Sequence, residues 1–248
     1  MKNLLPLILP SLLFSYSAFP QLKSEDQVRL SAEFGLGKAY IVDEIISKNE
    51  YTGYPFFYGL MWEDLTAFRE TGISFSFSKT KNLENRNTKA ELSEFLFEYH
   101  YIYNIDTINI FTLPVKFYLG PGIYVYEYNR YQEVLINIRA SSEFRSLSLN
   151  INSKFVFNLS PGLAFKINLS SALISYTKSE REYETDKHNG LFLFYSYLVL
   201  NSQLSIDYFI TKNIFIDLQY RFDYLKMNEL NNVRSIEDRI ILQMGYSF

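Results

Sequence analysis

The chain closes on Ile240-Ile241-Leu242-Gln243-Met244-Gly245-Tyr246-Ser247-Phe248. Ile240, Leu242, Met244, Tyr246 and Phe248 take alternate positions, with Ile241, Gln243, Gly245 and Ser247 between them. Side chains of an extended strand point alternately to its two faces, so this stretch has one apolar and one mostly polar face. The preceding segment repeats the pattern. Ile214, Ile216, Leu218, Tyr220, Phe222 and Tyr224 oppose Asp217, Gln219, Arg221 and Asp223, and only Phe215 is out of step. Residues 147–159 set Leu147, Leu149, Ile151, Phe155, Phe157 and Leu159 against Ser148, Asn150, Asn152, Lys154 and Asn158. Residues 163–173 set Leu163, Phe165, Ile167 and Leu169 against Ala164, Lys166, Asn168 and Ser170. Near the N-terminus Val28, Leu30, Ala32, Phe34 and Leu36 oppose Arg29, Ser31, Glu33 and Gly35.

A soluble sandwich alternates with its apolar face inward, a membrane barrel with that face outward. Three features favour the barrel. Several segments run about 12 to 15 residues, beyond the roughly 5 to 6 of soluble strands and enough to cross a bilayer at a tilt. Tyr220, Tyr224, Tyr246 and Phe248 sit towards the ends of apolar faces, where interfacial girdles belong. Connections then alternate when counted back from a periplasmic C-terminus. Met227–Val233, Lys178–Asn189 and Asn129–Phe144 read as outer segments, and Thr211-Lys212-Asn213, Ser160-Pro161-Gly162 and Gly120-Pro121-Gly122 as inner turns. Further back, Tyr103–Asp106 reads as a short outer loop, Lys79–Lys89 as an inner one and Ala39–Leu65 as the first outer loop. The expected fold is all-β: a closed antiparallel transmembrane barrel of about ten strands (eight or twelve also fit), with short periplasmic turns and longer extracellular loops. Hydrocarbon offers no partner to a free backbone N–H or C=O, so a spanning sheet must close on itself.

The composition agrees. Aromatic residues make up 18% of the 248, from 21 Tyr and 22 Phe against one Trp, a supply suited to broad pleated surfaces. A net charge of −3 argues against a nucleic-acid partner. The lack of cysteine excludes disulfides, thiolate metal sites, cysteine nucleophiles and a cysteine-borne lipid anchor. Lys2, the apolar run Leu4–Phe14 and the small residues Ser15, Ser17 and Ala18 have the order of a secretory signal peptide. Residues 1–18 are therefore expected to be cleaved, leaving 19–248 as the barrel domain in the outer membrane of a Gram-negative cell.

Two motifs carry a family resemblance. The alternating C-terminal residues ending on Phe248 resemble the signal read by the barrel-assembly machinery. Leu113-Pro114-Val115-Lys116-Phe117-Tyr118, followed by Gly120-Pro121-Gly122-Ile123-Tyr124-Val125, resembles the Pro-containing and Gly-Pro strands of small outer-membrane barrel-domain proteins common in Bacteroidota. The resemblance spans roughly residues 27–248. It implies location and fold, with outer-membrane lipids, lipopolysaccharide and the assembly machinery as partners, and it names no substrate or cofactor.

Candidate chemistry is thin. Arg29, Glu33, Glu98, Lys116, Lys154, Lys166, Asp207, Asp217, Arg221, Asp223, Glu237 and Arg239 are expected to face the lumen. Their mixed signs suit an internal salt-bridge network that fills a narrow barrel better than a selective pore. His100 should face inward beside Glu98 and Glu94, with Lys116 across the strand, as a hydrogen-bonding residue. His188 lies near Ser179, Glu182, Glu184 and Asp186, where a rim site of an outer-membrane lipid hydrolase, acyltransferase or protease could form. Tyr51, Tyr54, Phe56, Phe57, Tyr58 and Trp62 either bind a partner at the mouth or extend the first strands. The preferred reading is a non-enzymatic barrel with a structural or partner-binding role and no cofactor, metal or catalytic residue. A narrow channel for small or hydrophobic solutes and a rim enzyme are the alternatives.

Overall fold

The computed structural model describes residues 26–43, 47–85, 88–110, 113–135, 138–181, 188–227 and 233–248. The expected signal peptide lies outside the described residues. The chain forms β1 (Gln27–Asp43), β2 (Ser47–Gly53), β3 (Phe56–Leu65), β4 (Arg69–Asn85), β5 (Thr88–Ile110) and β6 (Leu113–Leu135). It continues through β7 (Ile138–Ser160), β8 (Leu163–Arg181), β9 (His188–Leu193), β10 (Tyr197–Phe209), β11 (Ile214–Met227) and β12 (Val233–Ser247). All pairings are antiparallel, β2 and β3 both lie between β1 and β4, β9 and β10 both pair with β8, and β1 closes the ring on β12 from Arg29↔Ser247 to Asp43↔Val233. The Phe248 N–H adds a last bond to the Val28 carbonyl at 2.9 Å.

Twelve elements fill ten ring positions, because two positions are interrupted strands. β1 pairs with β2 near its outer end and with β3 below it. Between them Tyr54-Pro55 breaks the ladder, yet the Gly37 N–H still reaches the Pro55 carbonyl at 3.2 Å. In the same way β8 pairs with β9 above and β10 below. Residues 194–196 turn tightly there, with the Ser196 N–H donating to the Leu193 carbonyl at 2.9 Å.

The count of ten matches expectation through two compensating errors. Ala39–Leu65 is not a loop: it holds the end of β1, β2 and β3. Gly120-Pro121-Gly122 is not a turn but the middle of β6, and Tyr103–Asp106 lies within β5. The real connection falls between Ile110 and Leu113, so Lys79–Lys89 belongs to the outer β4–β5 end rather than an inner loop. Pro121 has no N–H to donate to β5, and the glycines beside it permit close approach. A Cβ on Gly120 would sit 2.2 Å from the Tyr101 carbonyl oxygen. The outer segments Lys178–Asn189 and Asn129–Phe144 are also shorter than expected, since β6 to β9 run well into them. The turns around Pro161 and Lys212 hold as expected.

The exterior explains the solvent. Leu30, Phe34 and Leu36 on β1 are exposed, as are Leu147, Leu149 and Ile151 on β7, and Leu218 and Tyr220 on β11. So are Ile240, Leu242, Met244, Tyr246 and Phe248 on β12. A continuous exposed apolar belt of this size belongs in hydrocarbon. Above Leu147 the β7 strand continues for nine residues, Ile138–Ser146, on the order of 20 Å at a barrel tilt. There the outward side chains become charged: Arg145 meets Glu127 at 3.3 Å, and Lys178 pairs with Glu180. The inward ones become apolar. Ala39, Ile41, Tyr51, Leu92, Tyr128 and Phe144 form a buried core with Tyr197, Leu225, Met227 and Val233. The pattern inverts where the surroundings change from lipid to water.

Candidate functional site

The site the fold offers is its lumen. Every lumen charge expected from alternation on β1, β7, β8 and β10 to β12 points inward, because a period of two leaves no other choice once the belt faces lipid. The ring decides which of them meet. At the periplasmic end Arg29 donates to Asp207 at 2.7 Å, and its guanidinium lies between the Phe209 and Phe215 rings at 4.9 and 5.0 Å. Lys166 reaches the same Asp207 at 3.0 Å and Asp217 at 3.6 Å. Higher up, Lys154 grips both oxygens of Glu70 at 2.6 and 2.7 Å, and His100 Nε2 is 3.0 Å from that carboxylate. Arg221 on β11 holds Glu98 on β5 through two bonds of 2.9 and 2.7 Å. Those strands stand five positions apart in the ring of ten, so this bridge spans the full bore. Above it, Arg239 pairs with Glu237, approaches Glu94 at 3.7 Å and lies over the Phe57 ring at 5.1 Å. Glu94 also accepts from the Tyr126 hydroxyl at 2.6 Å and from Ser78.

Three regions follow along the axis. A vestibule of about 560 Å³ opens at the end where β1 begins and β12 finishes, walled by Arg29, Lys116, Lys154, Lys166, Asp207 and Phe209 among others. A smaller cavity of about 110 Å³ lies among the ionic bridges. The outer half is filled by the apolar core, in which Tyr51, Leu92, Tyr128, Phe144 and Tyr197 are essentially inaccessible.

Two expectations need correction. Lys116 is not across from His100: it pairs with Thr107, and His100 faces Gly122 on one side and Gly72 on the other. Gly72 is needed there, since a Cβ would come within 2.3 Å of the imidazole. The lumen is also polar only in part, because the outer half carries a hydrophobic core. Glu63 and Glu70 are lumen acids absent from the expected set. Alternation of Glu70, Gly72, Ser74, Ser76 and Ser78 against Ile73, Phe75 and Phe77 is the signal that finds Glu70. At the rim, register places His188 at the start of β9 opposite Ser179, whose side chain is buried. Glu182, Glu184 and Asp186 lie outside the described residues. Of the mouth aromatics, Tyr51 and Phe57 point inward and are buried, Phe56 and Tyr58 point outward on β3, and Tyr54 is exposed at the break between β2 and β3.

No family model and no curated protein matches the chain. Solved structures do. The outer membrane protease OmpT from Escherichia coli matches with a TM-score of 0.50 at 8% identity, over 91% of this chain and 97% of that one. The translocator domain of autotransporter NalP from Neisseria meningitidis gives 0.49 at 8% identity, over 99% and 95%. Neisserial surface protein A gives 0.37 at 16% identity, over 89% and 96%. The OmpT likeness is one of fold. Joined to the exposed apolar belt and closed ring, it defines the class: this is an integral β-barrel protein of the outer membrane.

Proposed function

We propose that the chain is a non-enzymatic and non-conducting barrel of the small-barrel kind common in Bacteroidota, serving envelope structure and presenting its outer rim to partners. Its lipid-facing belt meets outer-membrane lipids and lipopolysaccharide, and its C-terminal strand ending on Phe248 is the handle for the assembly machinery. One observation carries the reading: the outer half of the lumen is packed shut with buried apolar side chains. Opening a pore there would expose Tyr51, Tyr128, Phe144 and Tyr197 to water, each buried aromatic being worth roughly 1.5–3 kcal/mol. Purified protein in planar bilayers is expected to give no stable conductance. Reproducible single-channel steps that vanish on denaturation would replace this reading with the narrow channel, for which the periplasmic vestibule is the supporting feature. A rim hydrolase is favoured by one observation, the Ser179–His188 register. Lipid or peptide hydrolysis abolished by Ser179→Ala would establish it against the proposal.

A further inference from the structure

Each lumen cation on β1, β7, β8 and β11 is held by an acid. Arg29 and Lys166 share Asp207, Lys154 grips Glu70 and Arg221 grips Glu98. Lys116 on β6 is different: it makes no ion pair or side-chain hydrogen bond among the described residues. It is half-buried and stands in the wall of the periplasmic vestibule. On an open surface a solvated lysine would mean little, but this concavity is one-sided in charge. Its wall carries five cations, from Arg29, Arg69, Lys116, Lys154 and Lys166, against the two carboxylates of Glu70 and Asp207. Both carboxylates are occupied. Glu70 takes two bonds from Lys154 and one contact from His100, while Asp207 serves two cations at once. Arg69 at the mouth has the partly exposed Asp64 at 3.7 Å. A cleft lined with one sign of charge, set in low-dielectric walls, focuses the field and gathers the opposite ion.

The neutral groups beside Lys116 point the same way. In register Lys116 pairs with Val156 of β7, and Asn158 stands two residues further along the same face. Asn158 and Ser160 both line the vestibule, are accessible to solvent, and make no side-chain hydrogen bond among the described residues. An ammonium, an amide and a hydroxyl thus lie along one stretch of the β6–β7 wall with donors to spare. Tyr118, Val156 and Phe209 add apolar surface around them. Deeper in, the bridges of Lys154 and Arg221 and then the apolar outer core fill the bore. The vestibule is built to hold a solute rather than to pass one.

We propose that the periplasmic vestibule binds a water-soluble multivalent oxyanion, a carboxylate or phosphate compound, with Lys116 as its charge partner and Asn158 and Ser160 as neutral donors. Carboxylate and phosphate oxygens accept charge-assisted bonds from an ammonium and further bonds from amide and hydroxyl donors. The volume of about 560 Å³ falls within the roughly 300–1,000 Å³ of small-molecule sites. The ligand comes from solution rather than from the bilayer, because these donors face the lumen and the strands of the wall separate them from lipid.

The experiment uses full-length refolded protein in zwitterionic detergent, titrated calorimetrically with citrate and, separately, with pyrophosphate, in a low-salt buffer free of carboxylate and phosphate. The expected result is saturable binding of one anion per chain by at least one of the two probes, which also tells the carboxylate class from the phosphate class. Lys116→Met should weaken it about tenfold or more. Lys116 carries no ion pair, so the variant keeps the fold, and heat-modifiable gel migration verifies this. Lys178→Met removes the same charge from the outer rim, where Lys178 pairs with Glu180, and should leave the affinity unchanged. Failure of both probes to bind wild-type protein overturns the proposal. Binding that survives unchanged in Lys116→Met overturns it by placing the anion elsewhere. Equal weakening in Lys116→Met and Lys178→Met also overturns it, by reducing the effect to net charge.

Discussion

Leu218 and Asp217 are adjacent on β11 and stand in opposite solvents. Leu218 is 51% exposed and sits between Ile206 of β10 and Leu242 of β12, both outward and exposed. It lies near the middle of the β11 apolar face that runs from Ile214 to Tyr224. Leu218→Arg is therefore a charge placed near the bilayer midplane, at a cost of about 2–4 kcal/mol. That lowers the folding constant roughly 30- to 700-fold. Asp217 is 3% exposed, yet its nearer oxygen is 3.6 Å from a lysine that prefers Asp207, and its Oδ1 has no partner. Asp217→Asn keeps an acceptor in place and removes a buried charge, so its cost stays below about 1 kcal/mol. Folding into liposomes from urea measures both. The single tryptophan, Trp62, is on β3 opposite Leu30 and Ile73 and reports insertion by fluorescence, with heat-modifiable migration as the second probe. If Asp217→Asn proves the more damaging, the assignment of the faces, or the ranking of lipid contact above lumen charge, is wrong.

Lys154→Met strands the buried Glu70 carboxylate with only His100 for company, and should cost about 3 kcal/mol in the same urea assay. Adding Glu70→Gln should restore most of that loss; a double variant no better than the single one would show that packing, not charge, was at stake. Replacing Phe248 by Asp removes a ring pair 5.0 Å apart and puts a charge at the strand end, and deleting Tyr246–Phe248 also removes the closing backbone bond to Val28. Outer-membrane levels measured by immunoblot should fall several-fold, and unchanged levels would refute the reading of the C-terminus as an assembly handle.

Much of the wall of this barrel is legible in the chain by itself. Period-two alternation in 214–224 and 240–248 is a local property, set by strand geometry alone, and it assigns each side chain to lipid or lumen without knowledge of its neighbours. The strand count of ten agrees because one strand read as a loop (β2 and β3) and one strand too many in β5–β6 cancel. Turn chemistry misled at Gly120-Pro121-Gly122, where glycine serves close strand approach and proline sits in mid-strand, and aromatic density made β2 and β3 look like a loop. Three matters belonged to tertiary structure alone. Ring closure sets Arg221 opposite Glu98 and Lys154 against Glu70, because partners across a lumen are determined by register and shear rather than by distance along the chain. The height of each residue relative to the bilayer decides where polarity inverts, so that Tyr124, Tyr126 and Tyr128 are core while Glu127 and Arg145 face water. The mid-lumen cavity, walled by Glu33, Glu70, Glu98, Lys154 and Arg221 from five different strands, exists only once the ring is closed. A strand records which way its side chains face; what they face is a property of the closed ring.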